Sequence, residues 1–127
     1  MKILSHQDHQ PPAEGDPRSV ALANDANALA LPLDGVERVD LHFPSFTDGR
    51  AFSQAYLLRR RRGFRGEIRA TGEVLIDQLL QMQRTGFSCA VLRAGVDAAD
   101  ARRQFSLFPG FYQGDALNGQ PQLARGA

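Results

Sequence analysis

Cysteine is almost missing from this chain: Cys89 is the only one in 127 residues. That excludes an intramolecular disulfide, a multi-cysteine zinc site and an iron–sulfur cluster held by this chain alone. Lysine is as scarce, with Lys2 the sole example, so nearly all positive charge is arginine. No apolar run approaches the roughly 18 residues that a membrane span needs. Met1 to Gln10 hold no apolar stretch of the secretory type. The expected location is therefore the cytoplasm. No G-x-G-x-x-G follows a strand-like segment and no Walker glycine–lysine pair occurs, so the usual phosphate cradles are absent. A net charge of +1 provides no global field to draw in nucleic acid.

What is present suits one folded domain. Apolar residues make up 43% of the chain, and its length allows a core without covalent staples. Residues 5–18, with Gln7, Pro11, Pro12, Gly15 and Pro17 among charges, have linker composition, and residues 1–18 read as a flexible N-terminal segment. Residues 19–114 read as a single α/β domain, and 115–127 as a disordered tail.

Within the domain, Ala21 to Leu33 could supply a short helix and an edge strand. Val39 to Phe43 alternates apolar and polar residues, as a half-buried strand does, and Pro44 stops it. Thr47 or Asp48 can cap a helix running to about Arg62, with Phe52, Ala55, Tyr56 and Leu58 on its inner stripe. Gly63-Phe64 then provides a helix stop. The pattern recurs: a strand over Glu67 to Ala70, Thr71 as a cap, a helix over Glu73 to Arg84 with Leu75, Leu79 and Met82 inward, and a second stop at Gly86-Phe87. Cys89 to Leu92 is the third strand. A weaker helix follows from Asp97 or Ala98 to Phe105, and Phe111-Tyr112 could add a last strand. Successive βα units predict a small parallel sheet. Three core strands leave its edges open, so either the N-terminal region adds strands or a second copy of the chain, as a homodimer, covers an edge.

In such a sheet, ligands sit beyond the carboxyl ends of the strands. The candidate ligand- or partner-binding residues there are Asp48, Gly49, Arg50, Ser53 and Gln54 in the first loop. Arg69, Gly72, Glu73, Asp77 and Gln78 belong to the second, and Arg93 and Asp97 to the third. Arginines beside helix N-termini suit an oxyanion; the plainer alternative is that Asp48, Thr71 and Asp97 are caps and the arginines are solvated or paired. Arg59 to Arg62 with Arg65 and Arg69 concentrate positive charge, offset only by Glu67. Four consecutive side chains cannot share one helical face and no aromatic platform alternates with them, which disfavours nucleic acid and leaves an acidic protein partner or a solvated helix end. His6 and His9 could share a helical face, but no third ligand lies nearby, so no metal is expected. His42 reads as a packed or edge histidine, and Cys89, in an apolar strand, as buried and inert. Ser53 has no evident histidine–acid partner, and no catalytic residue can be named.

The run Phe43-Pro44-x-Phe46-Thr47-Asp48-Gly49-Arg50-x-x-Ser53-Gln54-Ala55-x-Leu57-Leu58-Arg59 is distinctive. Gly63-Phe64-Arg65-Gly66-Glu67-Ile68-Arg69-Ala70, Gly72-Glu73-Val74-Leu75-x-Asp77-Gln78, Gly86-Phe87 and the Phe105-Ser106 to Tyr112-Gln113 segment follow it in order. Together, over roughly residues 29 to 113, they resemble the bacterial family called domain of unknown function 934. Members of that family are often labelled probable oxidoreductases of sulfite reduction and are typically encoded beside the haemoprotein of assimilatory sulfite reductase. Thr85 stands where many members have cysteine, and Ser88 where they have an acidic residue.

The resemblance implies a pathway and no particular catalytic residue. It implies an accessory or complex-forming protein of sulfur assimilation, whose partner would be the sulfite reductase haemoprotein or its electron donor, met through the arginine-rich helix end and the Asp48–Gln54 loop. The oxidoreductase label conflicts with the residues, since one cysteine cannot hold a cluster and no cofactor site is visible. The alternative is a small enzyme or oxyanion-binding protein using Asp48, Arg50, Arg69 and Glu73 at the sheet's carboxyl edge.

Overall fold

The computed structural model describes residues 1–107. The expected strand at Phe111-Tyr112 and the expected tail 115–127 lie outside them. Five strands form one parallel sheet: β1 (Lys2–Leu4), β2 (Ser19–Leu22), β3 (Arg38–Phe43), β4 (Glu67–Gly72) and β5 (Cys89–Val91), in the spatial order β1-β5-β4-β3-β2. Three helices accompany them: α1 (Arg50–Tyr56), α2 (Leu79–Thr85) and α3 (Ala98–Ser106). The α/β class and the parallel sheet of successive βα units are as the periodicity predicts. Both outer strands come from the N-terminal region. Despite its linker composition, that region pairs Lys2, Ile3 and Leu4 with Cys89, Ala90 and Val91. A second copy of the chain is therefore not needed to extend the three core strands.

The two faces of the sheet differ in chemistry. Val39, Leu41 and Phe43 of β3, Ile68 and Ala70 of β4 and Ala90 of β5 are fully buried on the face that carries the helices. Phe43 meets Phe52 of α1 edge-on at 5.1 Å between ring centroids, and Phe87 lies 5.7 Å from Phe43. α1 packs on β3 and α2, and α3 on β1. Alternate positions of the same strands carry charge to the other face: Arg38, Asp40 and His42 on β3, register-paired with Glu67, Arg69 and Thr71 on β4.

Arg59 joins the two Gly–Phe stops. After Tyr56 the helix widens into a π-turn over Leu57–Arg61, with Arg62 N donating to Leu57 O at 2.9 Å. The wider turn directs both Leu58 and Arg59 inward. Arg59 Nε donates to the Gly86 carbonyl at 2.8 Å, and Nη1 to those of Phe64 and Gly66 at 2.9 and 2.7 Å. Gly86 is required at this junction: its φ is +132°, and a Cβ there would stand 2.6 Å from Arg59 Cγ. Arg62 is likewise committed, donating to Ala28 O and Leu29 O.

The second helix begins later than the sequence pattern suggests, and Thr71 is not its cap. β4 continues through Thr71 to Gly72, Glu73 N still donates to Phe43 O at 2.8 Å, and Val74 is buried. The chain then makes a tight turn, with Val74 N donating to Gly72 O at 2.9 Å, turns again over Ile76–Gln78, and only then enters α2. Asp97 does cap α3, accepting from Ala99 N at 2.9 Å.

Replacing Arg59 with alanine leaves the carbonyls of Phe64, Gly66 and Gly86 without this donor. Chemical denaturation is expected to show a loss of about 3 kcal/mol or more, whereas Arg60→Ala, at an exposed position, is expected to stay within about 0.5 kcal/mol of wild type.

Candidate functional site: a strapped trough on the charged face

Residues 5–12 cross the charged face of the sheet as a strap, held by polar contacts. Arg38 binds Asp40 bidentately, Nε to Oδ1 at 2.7 Å and Nη2 to Oδ2 at 2.9 Å, and the same Nη2 donates to the Gln10 carbonyl at 2.7 Å. Arg69 Nε donates to Glu67 at 2.5 Å, and Lys2 Nζ donates to the other oxygen of that carboxylate at 3.1 Å. Arg69 Nη1 lies 3.0 Å from His9 Nδ1. A guanidinium only donates, so His9 Nδ1 accepts and its ring proton sits on Nε2, which is 3.8 Å from Asp40. The ladder therefore runs Lys2–Glu67–Arg69–His9–Asp40–Arg38, with Asp40 and Arg69 buried.

Burial and charge set the protonation of this ladder. His9 is pushed below the usual histidine value, first by burial and then by Arg69, Arg38 and His6; Asp40 opposes this. Burial works against the Glu67 carboxylate, but the hydrogen bonds from Arg69 and Lys2 prevail and hold it below the usual range. The Asp40 hydrogen bond raises Arg38 further. Burial pushes the Cys89 thiol up to about 11, so at neutral pH it is a protonated, inert group.

Beside the strap, two cavities share a wall made by His9, His42 and Thr71. One, of about 540 Å³, extends over Ala21–Ala23 of the β2 side and Asp40, roofed by Pro11 and Pro12. The other, of about 390 Å³, opens at the carboxyl ends of β4 and β5, where Gly72, Glu73, Val91, Leu92 and Arg93 join His6. Gly72 sets this wall. A Cβ on it would stand 2.6 Å from His42 Cε1, and closer still to the Phe43 carbonyl oxygen, and its φ is +90°. The His42 ring therefore lies directly against the backbone, with Nδ1 3.4 Å from Thr71 Oγ1. Among the described residues no group of three histidine, cysteine or acidic side chains is arranged to hold a metal ion.

The residues singled out from sequence divide among three places. Gly72, Glu73 and Arg93 line the trough, with Arg93 Nη1 4.0 Å from Glu73 Oε2 across its mouth. Arg69 lies beneath the strap within the ladder, away from the carboxyl edge. Arg50, Ser53 and Gln54 line a separate cavity of about 340 Å³ with Asn24–Ala28 and Leu57. There Gln54 Nε2 donates to the carbonyls of Ala23, Asn24 and Ala26 and so anchors that loop. Neither Thr47 nor Asp48 is the N-cap of α1: Gly49 holds that position without a side-chain bond, and Asp48, one residue earlier, accepts from Arg50 N at 2.9 Å. Gln78 donates to Phe46 O, and Asp77 is exposed in the turn before α2. The sequence reading did not place His6, His9 and His42 together; the signal available for it was the run of polar residues at alternate positions of β3 and β4.

These features define a one-sided parallel α/β domain whose bare sheet face is strapped by its own N-terminal segment. The chain belongs to a family of bacterial proteins of unknown function, DUF934, whose family model matches residues 19–123. No curated protein and no solved structure matches it significantly. No helix among the described residues is long and apolar enough to cross a membrane.

The depressed His9 value gives a signed pH dependence. As pH falls below the usual histidine value of about 6.5, the unfolded chain takes up a proton that folded His9 resists, so stability declines until pH has passed the folded value. Above about pH 6.5 this contribution is complete. His9→Gln is expected to flatten the fall in melting temperature in that window, while the decline caused by Glu67 at lower pH remains. A melting curve series against pH for both proteins checks it.

Proposed function

We propose that the chain is an accessory, complex-forming protein of assimilatory sulfite reduction, acting in the cytoplasm without a redox centre of its own. The single observation that carries this reading is the state of Cys89. It is the one thiol of the chain, it is fully buried in β5, and its thiol is pushed up to about 11. A cluster requires several exposed-enough thiolates. A chain associated with sulfite reduction by family resemblance, and unable to offer them, contributes by meeting the protein that carries the electrons.

The surface available for such a contact is narrower than the arginine run suggests. Arg59 and Arg62 are spent on backbone carbonyls, which leaves Arg60, Arg61 and Arg65 exposed near the exposed ring of Tyr56. An acidic patch on the haemoprotein or its electron donor would complement them. In the Asp48–Gln54 loop, Arg50 and Ser53 remain exposed for the same purpose.

Co-expression with the sulfite reductase haemoprotein is expected to yield a co-purifying complex. Charge reversal at Arg60, Arg61 and Arg65 together is expected to weaken it by about tenfold or more at low salt, without lowering the melting temperature. A deletion strain is expected to grow on sulfide and poorly on sulfite. Reproducible absence of any interaction, together with normal sulfite reduction in the deletion strain, rejects the proposal.

A further inference from the structure

The chain has three histidines, and all three line the same cavity at the carboxyl ends of β4 and β5. We infer that this trough binds a small oxyanion, whose acidic oxygens are received by Arg93, His6 and His42 and whose remaining atoms lie over Val91 and Leu92. The inference does not rest on the accessory reading above; it stands on which charges around the cavity are already satisfied.

The negative groups are largely spoken for. Asp40 has both oxygens bound by Arg38, with His9 behind them. Glu73 is held only by the 4.0 Å approach of Arg93, and both side chains are more than two-fifths exposed, at 44% and 43%. A contact that loose lets the guanidinium turn to an entering anion at small cost. The donors, in contrast, are open. His42 has Nδ1 3.4 Å from Thr71 Oγ1; in the tautomer in which Nδ1 accepts from that hydroxyl, the ring proton lies on Nε2, which has no partner among the described residues, and His6 has no side-chain hydrogen bond there. His9 is different: Arg69 fixes its tautomer, and it serves as the wall between the two cavities. A cation would find one weakly held carboxylate, and the imidazoles are not placed as a ligand set. Imidazole and guanidinium N–H groups beside a buried aliphatic floor suit an acid head on a compact body. A cavity of about 390 Å³ admits an organic acid as well as an inorganic oxyanion.

The histidines supply their own readout, because the ring Cε1–H region of an NMR spectrum of the full chain will contain three signals. Sulfate and phosphate form one arm of the titration, malonate and succinate the other, with chloride at matched ionic strength as reference. The expected result is a saturable shift of the His6 and His42 signals in at least one arm, and the responding arm tells whether the ligand is inorganic or organic. Arg93→Ala, at an exposed position, is expected to weaken the binding by about tenfold or more, and Arg93→Lys to recover part of it. Melting temperatures of both variants confirm that the fold is retained. Shifts that grow linearly with every salt, shifts unchanged in Arg93→Ala, or no shift up to about 50 mM of any probe would overturn the assignment.

Discussion

The charges between β3 and β4 must all find partners on a sheet face that none of α1, α2 and α3 covers. Parallel sheets are ordinarily packed by apolar elements on both sides. Here one side holds the aliphatic and aromatic core, and the other is neutralised residue by residue: Lys2 with Glu67, Glu67 with Arg69, Arg69 with His9, Asp40 with Arg38. Asp40 and Arg69 are buried, and stranding either one would leave an uncompensated charge, a defect of roughly 3–5 kcal/mol. The strap does not lie on this face by hydrophobic packing. Arg38 holds it at Gln10 and Arg69 at His9, and because it stands on polar side chains, hollow space remains beneath and beside it.

This division places the two proposed binding surfaces at opposite ends of the sheet. Arg60, Arg61 and Arg65 follow α1 and precede β4, near the carbonyls that Arg59 gathers before β4 and β5 begin. The histidine trough opens where β4 and β5 end. A protein seated on the arginines would leave the trough accessible, so the two proposed contacts are compatible within one small domain.

Much of the architecture was legible because it follows local periodicity. The alternation in Val39–Phe43, the two Gly–Phe stops and the Asp97 cap each express one backbone requirement within a few residues. β1 was not, since three residues of Lys-Ile-Leu contain less than two periods of any pattern and depend for their pairing on Cys89–Val91. The late start of α2 was hidden for a related reason: Thr71 and Gly72 resemble a cap, but pairing with His42 and Phe43 keeps them in the strand. At the site, Gly72, Glu73 and Arg93 were found because strand ends mark binding loops in parallel sheets. Gln54, Asp48 and Gln78 were drawn in by the same rule and prove to hold loops in place. His6 and His9 escaped because linker composition says nothing about which sheet face a segment crosses.

The pairing of Lys2 with Cys89 also spans the longest separation in sequence of any strand pair in the described sheet. Among the described residues β1 pairs with β5 alone, so its docking closes the largest loop. The strap that follows β1 is fastened at its start by three residues of edge strand and by Arg102 reaching the Ile3 carbonyl. An edge strand of three residues is where thermal opening of a sheet begins. Hydrogen exchange should find the strap's amides opening independently of the central strands, and each such opening carries His6 and His9 away from His42 and takes the trough apart.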